Sequence, residues 1–511
     1  MSRRSQPETP APGTIGMRAA WGAVTVFALA YPLMYVVVAL LRDGHPFELE
    51  WMEGAVVGHV RRVLQGQPLY VAPSLHFTPF IYPPLYFYLG ALVTKFTGLG
   101  FTPLRLLSFA ASLGTIGLVF MTVRHGTSRR LPALLGACLF AASYREGGAW
   151  FDLARVDSVY ICAVASGIFL LRRDQPWRSG ALGGFAFALA ALTKQSALFI
   201  AAPALVFLLV ADWRRGIAFG GTFALLVGGA TLVLDRASGG WYSFYVFDLP
   251  RHHPIIGQLL RGFWTTDLLG AFAIAFAFGA FRFCRMSRGT WRRDGLDLAL
   301  VLGLVLTAYV TKIRVGSYDN LVIPAHLAAS LAFGWGLDRL LEFRMSLSER
   351  GAALERFAVT LCLLQFALLL YKPWRQIPTA EHAAAGRQFV QSLGRVSGDV
   401  WIPSHPYLAE MAGKPSWAHE LALTDVLRRV DSHEHRALMD SLRVALREHR
   451  FGLVILDHTG WLKEEAQPYY DHVAQMFGEN EKELFWPLTG FYTRPDFVWT
   501  PTGDSSAVAR R

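Results

Sequence analysis

Long apolar segments that lack charged side chains follow one another from residue 19 to residue 371. A helix needs about 20 apolar residues to cross the hydrocarbon core of a bilayer, and most of these segments approach that length. The pattern therefore predicts a multi-spanning membrane protein. We place eleven transmembrane helices at residues 19–41, 103–123, 132–145, 157–172, 180–193, 196–211, 216–234, 264–283, 295–311, 318–337 and 354–371.

One further apolar segment, residues 83–97, is short and begins with two prolines. Counting it as a twelfth span would reverse the orientation of all later loops and would export the loops that are rich in arginine. Cytoplasmic loops normally carry the excess of Lys and Arg. We therefore expect residues 83–97 to lie at the exported membrane face. The loops expected on the cytoplasmic side are residues 124–131, 172–179, 212–216, 282–293 and 338–356.

The two ends of the chain differ from this apolar region. Residues 1–16 are polar and contain proline and arginine, so we expect a disordered cytoplasmic tail. A transmembrane domain is expected over residues 17–371, with its first exported loop at residues 42–102. The composition then becomes mixed, and residues 372–511 are predicted to form a soluble exported α/β domain. Within it we predict two strands and one helix, at residues 399–403, 451–457 and 425–450.

The composition supports a membrane protein. The chain is 53% hydrophobic and 17% charged, whereas about a quarter of the residues of a soluble protein are charged. The net charge of +11 resides largely in short loops, so membrane orientation accounts for it and we predict no nucleic-acid partner. The four cysteines lie in apolar segments without a CxxC pair, which predicts neither a disulfide framework nor a zinc site.

Polar side chains at the exported ends of membrane helices are costly unless they are solvated or functional. In the first exported loop, Glu50 and Glu53 lie three residues apart and would share one face of a helix. Such a carboxylate can act as a general base toward an acceptor hydroxyl, and a solvated acidic turn is the alternative.

Two more polar side chains, Asp157 and Lys194, occur at predicted helix ends. Asp157 follows Arg155 and either caps its helix or adds a second carboxylate that positions an acceptor or a metal. Lys194 interrupts an apolar stretch, where a lysine costs a few kcal/mol, so it either snorkels or meets a phosphate.

A third group of cations is predicted near residue 318. Lys312, Arg314 and Tyr318 precede a helix and would form an anion site, because free N–H groups and the helix dipole also favour negative charge. Cations on the exported side oppose the orientation rule, and a lipid phosphate would explain them. His253 lies in an exported loop whose aromatic residues form either an interfacial belt or a sugar-stacking surface, and the histidine pair of this loop is either solvated or catalytic. The C-terminal histidines could instead suggest a metal site, but we expect them to lie on a solvated helix surface; they are His405, His419, His433 and His435.

These motifs, in this order, resemble the GT-C superfamily of membrane glycosyltransferases, which includes protein O-mannosyltransferases and the lipid A aminoarabinose transferase. The likeness spans roughly residues 17–340. One position departs from the pattern: many relatives have Asp-Glu-Gly where this chain has Met52-Glu53-Gly54, so either Glu50 or Glu53 must act. The motifs are the first-loop acids, Gln67-Pro-Leu-Tyr70, Tyr82-Pro-Pro-Leu-Tyr86, Arg105-Leu-Leu-Ser, Arg155-Val-Asp157, Thr-Lys194-Gln and Lys312-x-Arg314-x-x-x-Tyr318.

The resemblance implies an α-helical GT-C bundle of about eleven transmembrane helices with a C-terminal soluble α/β domain. It implies transfer of a sugar, usually with inversion, from a polyprenyl-phosphate donor to a lipid, glycan or protein acceptor on the exported side. The expected setting is a bacterial inner membrane, and a divalent metal, Mg or Mn, is a possible cofactor. The implied roles are a base for Glu50 or Glu53, a second acid for Asp157, phosphate contacts for Lys194, Lys312, Arg314 and Tyr318, and assistance from Arg155 or His253.

Two alternatives belong to other functional classes. A transporter or flippase of lipid-linked sugars would carry polar residues near the middle of its helices. A non-enzymatic scaffold for envelope assembly would tolerate substitution of Glu50, Glu53 and Lys312.

Overall fold

The structure is a computed structural model that describes residues 12–127, 129–347, 350–458, 460–478, 481 and 483–503. Of the predicted tail, residues 1–11 lie outside the described residues, and the first helix already begins at Pro12.

The region up to residue 371 is almost entirely helical. Its first nine helices are α1 (Pro12–Asp43), α2 (Glu53–Leu64), α3 (Leu85–Thr97), α4 (Phe101–His125), α5 (Arg130–Ala142), α6 (Asp157–Leu171), α7 (Pro176–Thr193), α8 (Leu198–Ala211) and α9 (Trp213–Ser238). The next seven are α10 (Trp241–Ser243), α11 (Leu249–Arg251), α12 (Gly257–Gly262), α13 (Leu269–Cys284), α14 (Trp291–Lys312), α15 (Ile323–Arg344) and α16 (Arg350–Ala367). Two π-helical turns, Phe244–Asp248 and Phe263–Leu268, join α10 to α11 and α12 to α13.

Each of the eleven predicted apolar segments coincides with one of these helices. Among the described residues, six helical stretches are long and apolar enough to cross a membrane: Gly16–Asp43, Phe101–His125, Trp213–Ser238, Gly257–Cys284, Trp291–Lys312 and Asp319–Arg344. Three other apolar helices are shorter, at Arg130–Ala142, Asp157–Leu171 and Gln195–Ala211. The number of eleven spans therefore stays a prediction.

Small residues allow the helices to approach closely. In α15, a Cβ atom at Gly336 would overlap the carbonyl group of Phe278 in α13. In α7, a Cβ atom at Gly184 would come within 2.5 Å of the carbonyl oxygen of Phe219 in α9. Small residues favour association in lipid because van der Waals packing of backbones replaces the hydrophobic driving force.

Two of the arginines in the loops expected on the cytoplasmic side are buried in a charge network. Arg282 donates hydrogen bonds to Asp294 at 2.7 Å and to Asp297 at 2.5 Å, and Arg172 also donates to Asp297. Both guanidinium groups lie over the ring of Trp335, at 4.7 and 4.9 Å from its centroid. These two arginines thus join α6, α13, α14 and α15 in addition to any role in membrane orientation.

The region after residue 371 contains a small sheet with helices around it. Its helices are α17 (Ala380–Gly394), α18 (Pro406–Met411), α19 (Glu420–Leu427), α20 (His433–Arg447) and α21 (Trp461–Ala466). Its strands are β1 (Asp399–Trp401), β2 (Phe451–Leu456), β3 (Tyr470–Gln475) and β4 (Phe497–Pro501). The order is β1-β2-β4-β3, with β1 parallel to β2 and the other two pairs antiparallel. The strands predicted at 399–403 and 451–457 are present, whereas the helix predicted at 425–450 is divided between α19 and α20.

The C-terminal region shares a hydrophobic core with the first loop. Met52 and Val56 of the loop belong to the same buried cluster as Trp401, Leu423 and Phe451 of the C-terminal region. Arg61 in α2 also pairs with Glu410, and Glu48 pairs with His405. The two regions therefore pack as one unit against the helical bundle.

Candidate active site

A cavity of about 600 Å³ lies where the helical bundle, the first loop and the C-terminal region meet. Apolar side chains such as Leu198, Phe199, Val246 and Phe247 form part of its wall. Charged and polar side chains from all three regions also line it: Glu50, Tyr82, Arg155, Lys194, Gln195, His253, Arg314, Tyr318, Asn320, Glu420, Arg428 and His458. An apolar pocket with a few convergent polar groups is the usual form of a binding site.

Glu50 is a buried carboxylate that the first loop contributes to this cavity. Its Oε2 atom accepts hydrogen bonds from Arg155 Nη1 at 2.5 Å and from the Met52 amide at 3.2 Å. Its Oε1 atom is buried and has no protein partner among the described residues. Burial raises the pKa of Glu50 to about 7 although Arg155 opposes this shift. Glu50 thus has one oxygen without a hydrogen-bond partner among the described residues, and a pKa in the range of a general base near neutral pH.

Glu53 occupies a different environment. Both of its oxygens are engaged: Arg105 donates from Nε at 3.0 Å and from Nη2 at 2.7 Å, and the amides of Leu49 and Ala154 donate at 2.7 and 2.8 Å. Burial raises the pKa of Glu53, but Arg105 and these amides outweigh burial and hold it below its usual range. Glu53 does not line the cavity.

The expectation that Glu50 and Glu53 share a helix face is wrong. α2 begins at Glu53, and residues 48–52 form turns, so the two carboxylates meet different partners. Glu53 fastens the first loop to α4 through Arg105, whereas Glu50 is directed at the cavity.

Arg155 connects Glu50 to the aromatic wall of the cavity. Its Nη2 atom donates to the Tyr82 hydroxyl at 3.1 Å, and its guanidinium carbon lies 5.4 Å from the Trp150 ring centroid. Arg155 therefore fixes the position of Oε2 of Glu50 and makes no hydrogen bond to Oε1.

Asp157 and Lys194 form a second buried pair. Lys194 Nζ donates to Asp157 Oδ1 at 2.6 Å, and Asn320 donates to the same oxygen at 3.1 Å. Lys194 and Asn320 line the cavity, and Asp157 does not. The N-cap interpretation of Asp157 is wrong, since α6 begins at Asp157 and the capping residue, Val156, makes no side-chain cap.

The third predicted group is divided between the cavity and its surroundings. Arg314 and Tyr318 line the cavity, and Arg314 Nη1 donates to the carbonyl oxygen of His253 at 3.0 Å. Lys312 lies outside the lining, where its Nζ donates to Asp319 at 2.9 Å. The end of α14 explains the difference, because Lys312 is the last residue of the helix whereas Arg314 lies in the turn that follows it.

The C-terminal region supplies site residues that no motif indicated. Glu420, Arg428, His458 and Phe491 line the cavity. Burial raises the pKa of Glu420, whose Oε1 atom lies 3.5 Å from His458 Nε2. No local sequence pattern marks them, because they reach the cavity only through the packing of the C-terminal region against the first loop.

The residues present do not form an evident metal site. Among the described residues, no three His, Cys, Asp or Glu side chains gather as ligands. The expectation that His405 and His419 are solvated is wrong, since both are buried at the contact with the first loop. His405 lies between two carboxylates, Glu48 and Asp457, and is held as a cation rather than as a neutral ligand.

Comparison with known proteins identifies the fold. A family model described as dolichyl-phosphate-mannose-protein mannosyltransferase matches residues 82–236. The structure is similar to ArnT from Cupriavidus metallidurans bound to undecaprenyl phosphate, with a TM-score of 0.58 and 13% identity over 94% of this chain and 98% of that chain. The chain has the GT-C glycosyltransferase fold.

A second solved structure has this GT-C fold as well. It is the archaeal oligosaccharyltransferase AglB from Archaeoglobus fulgidus in complex with an inhibitory peptide and a dolichol-phosphate. The TM-score is 0.54 and the identity 11%, over 85% of this chain and 69% of that chain. A comparison of the sequence with curated proteins gives no significant match.

The resemblance to the GT-C superfamily is therefore confirmed for the fold. The matched range, residues 82–236, includes Tyr82, Arg155, Asp157 and Lys194. Because these two structures are 13% and 11% identical to this chain, they show its fold, and the roles of its individual residues follow from its own geometry.

Proposed function

We propose that the protein is a membrane glycosyltransferase that transfers a sugar from a polyprenyl-phosphate donor to an acceptor hydroxyl on the exported side of the membrane. The single observation that carries this proposal is the common cavity of Glu50, Lys194 and Arg314. A base for the acceptor and cations for a phosphate leaving group are the two requirements of this reaction.

The shape and lining of the cavity support a lipid-linked donor. Apolar side chains provide a surface for an isoprenoid chain, and Arg314 and Tyr318 offer donors for its phosphate. One structure with the same fold is bound to undecaprenyl phosphate and another to a dolichol-phosphate, which is consistent with such a carrier here.

The reaction follows from these positions. The acceptor oxygen forms a bond to the anomeric carbon of the sugar, and the bond from that carbon to the phosphate oxygen breaks. The electron pair leaves with the polyprenyl phosphate, whose charge the cavity cations stabilise. The proton of the acceptor hydroxyl passes to Oε1 of Glu50. Attack from the face opposite the phosphate inverts the anomeric centre.

The other predicted residues take supporting parts in this scheme. Arg155 positions Glu50, and Asp157 holds Lys194 and Asn320 at the cavity wall. Lys312 has no direct part in the scheme, because it lies outside the cavity lining and its ammonium group is paired with Asp319. No step of the scheme requires a metal ion.

The test is mass spectrometry of lipid-linked sugars and envelope glycans in the host organism after deletion of the gene. We expect one polyprenyl-phosphate sugar to accumulate and one glycan to lose a sugar. Expression of the full chain should restore both, and Glu50→Gln should restore neither. Glu381→Gln, a change on the exposed side of the C-terminal region, is the matched control and should restore both.

Two results would contradict the proposal. An unchanged lipid and glycan profile after deletion would indicate a different function. Full restoration by Glu50→Gln would indicate a scaffold or a transporter, because neither needs a base at this position.

A further inference from the structure

α19, in the C-terminal region, lies along one wall of the cavity. Glu420, Leu421, Thr424 and Arg428 line the cavity, and their spacing places them on one face of the helix. Glu420 and Arg428 are eight residues apart, which corresponds to about 12 Å along a helix. An acid therefore lies at one end of this wall and a cation at the other.

Arg428 presents part of its guanidinium group to the cavity. Its Nη1 atom pairs with Asp425 and lies 3.1 Å from His253 Nε2. Its Nη2 atom has no partner in the described part of the chain, and it lies 3.8 Å from where a Cβ atom of Gly316 would stand. Arg428 thus faces the turn that carries Arg314.

That turn is fixed against the neighbouring loop. The amide of Ile256 donates to the Ile313 carbonyl at 2.8 Å, and the amide of Val315 donates to the Pro254 carbonyl at 2.9 Å. Arg314 lies between these two bonds, and its only hydrogen bonds within the described ranges are to backbone carbonyls. Its positive charge is therefore not balanced by a carboxylate.

Two other cations of the cavity are already balanced. Lys194 is paired with Asp157, and Arg155 is paired with Glu50. At the opposite end, Arg251, Arg314 and Arg428 line the cavity together, and Asp425 is the carboxylate paired there. The excess of positive charge, and hence the strongest attraction for a phosphate, is at this end.

We propose that Arg428 and Arg314 hold the carrier phosphate from opposite walls of the cavity, so that the C-terminal region supplies a ligand of the donor. This proposal rests on the proposed function and adds Arg428 to it as a phosphate-binding residue. Each guanidinium group can donate two parallel hydrogen bonds to phosphate oxygens, so two arginines can bind one phosphate together. Val315 and Leu321, which line the cavity close to Arg314 in sequence, would then meet the first isoprene units.

The experiment measures binding of undecaprenyl phosphate to the purified full chain in lipid nanodiscs. Arg428→Ala should weaken binding about 10- to 100-fold, the loss expected for a charge-assisted contact. Arg428→Lys should recover part of the affinity. Arg429→Ala is the matched control, because Arg429 pairs with Asp248 at 2.8 Å and does not line the cavity, and it should bind as the unaltered chain does.

Inorganic phosphate distinguishes a lipid headgroup from a free anion. We expect it to bind far more weakly than undecaprenyl phosphate, because it makes no use of the apolar wall. Equal affinity for both ligands, lost together in Arg428→Ala, would overturn a lipid carrier at this site.

The outcomes separate this proposal from the proposed function. If Arg314→Ala weakens lipid binding and Arg428→Ala behaves as Arg429→Ala does, the role of Arg428 is refuted and the function stands. If the unaltered chain does not bind undecaprenyl phosphate, the donor itself is refuted. Thermal unfolding of each variant shows whether a lost affinity reflects a lost fold.

Discussion

At the scale of single residues, the environment of Glu50 determines how strong a base it can be. Burial disfavours the charged carboxylate, and the guanidinium group of Arg155 favours it. The balance places the pKa of Glu50 near 7, so that a carboxylate and a carboxylic acid are both accessible around neutral pH. If Glu50 were more exposed, or if a second cation lay beside it, its pKa would be lower and it would be a weaker base.

The first prediction concerns pH. Because Glu50 must be deprotonated to accept the proton, the transfer rate should be low in acid and should rise as the pH passes through about 7. Glu50→Gln should lower the rate about 100- to 10,000-fold and remove this rise, without loss of undecaprenyl phosphate binding. The measurement is the rate of sugar transfer in nanodiscs from pH 5 to 9. A rate that rises through pH 7 in Glu50→Gln would contradict the assignment of the base.

The second prediction distinguishes Glu53 from Glu50. Glu53→Gln keeps the size of the side chain but leaves the buried charge of Arg105 unbalanced, so it should destabilise the fold by about 3–5 kcal/mol. Glu50→Gln should cost less, because burial already favours the neutral form of that residue. Thermal unfolding of both variants in detergent checks the order, and equal melting temperatures would contradict it.

The sequence predicts which residue types matter but not which way they face. By sequence, both Glu50 and Glu53 fit the role of a base. The structure distinguishes them, because Arg105 and two backbone amides already donate hydrogen bonds to both carboxylate oxygens of Glu53. Similarly, Lys312 and Arg314 are two residues apart, yet Arg314 alone reaches the cavity. Such differences depend on where a helix ends, which apolar periodicity does not fix within a residue or two.

At the scale of elements, His405 connects the first loop to the C-terminal sheet. It precedes α18, its Nδ1 atom pairs with Glu48, and its Nε2 atom lies 2.8 Å from Asp457 at the end of β2. Burial lowers the pKa of His405, but Asp457 and Glu48 outweigh burial and raise it to about 10. The imidazolium is therefore bound by carboxylates from two elements at once.

The third prediction follows from this raised pKa. The protonated imidazole of His405 stabilises the folded state because its pKa is higher there than in the unfolded chain. This stabilisation is complete below the unfolded pKa of about 6.5 and is lost as the pH rises through about 10. His405→Gln should therefore lower the melting temperature strongly at pH 6, and this difference should shrink toward pH 10. A difference that stays constant over this range would indicate that packing, and not charge, explains the effect.

The fourth prediction concerns the contact between α13 and α15. Gly336→Ala should separate these helices, because its Cβ atom would overlap the backbone of Phe278, so the melting temperature should fall markedly. Gly229→Ala in α9 is the matched control, since an added Cβ atom meets nothing within 4 Å there. Thermal unfolding measures both, and equal values would contradict close packing at Gly336.

The elements that apolar patterning predicts are those that bury a continuous surface. Every predicted apolar segment is a helix, and the strands β1 and β2 are buried and were predicted. β3 was not predicted, because its polar residues Asp471, His472 and Gln475 do not alternate with its apolar residues. The break between α19 and α20 was missed because helix-forming residues flank it on both sides.

At the scale of the whole molecule, the C-terminal region completes both a core and a cavity. Trp401 and Phe451 pack in one cluster with Met52 and Val56, and Glu420 and Arg428 line the cavity with Glu50. The sequence predicts two separate regions, since their compositions differ. Their contact depends on complementary surfaces that no local pattern encodes.

The fifth prediction tests this contact. A chain that ends at residue 379 should expose the buried residues of the first loop, so it should melt at a lower temperature and bind undecaprenyl phosphate poorly. Size-exclusion chromatography in detergent and the nanodisc binding assay check both effects. Unchanged stability and affinity in the shortened chain would show that the first loop folds without the C-terminal region.

The sequence separation of the cavity walls has a consequence for biosynthesis. Glu50 and Phe491 line the same cavity. The cavity is therefore incomplete until the ribosome has synthesised the chain as far as Phe491. A nascent chain whose helices are already inserted in the bilayer therefore lacks the wall of the cavity that the C-terminal region supplies. The complete cavity therefore forms only after the C-terminal region has been synthesised and has packed against the first loop.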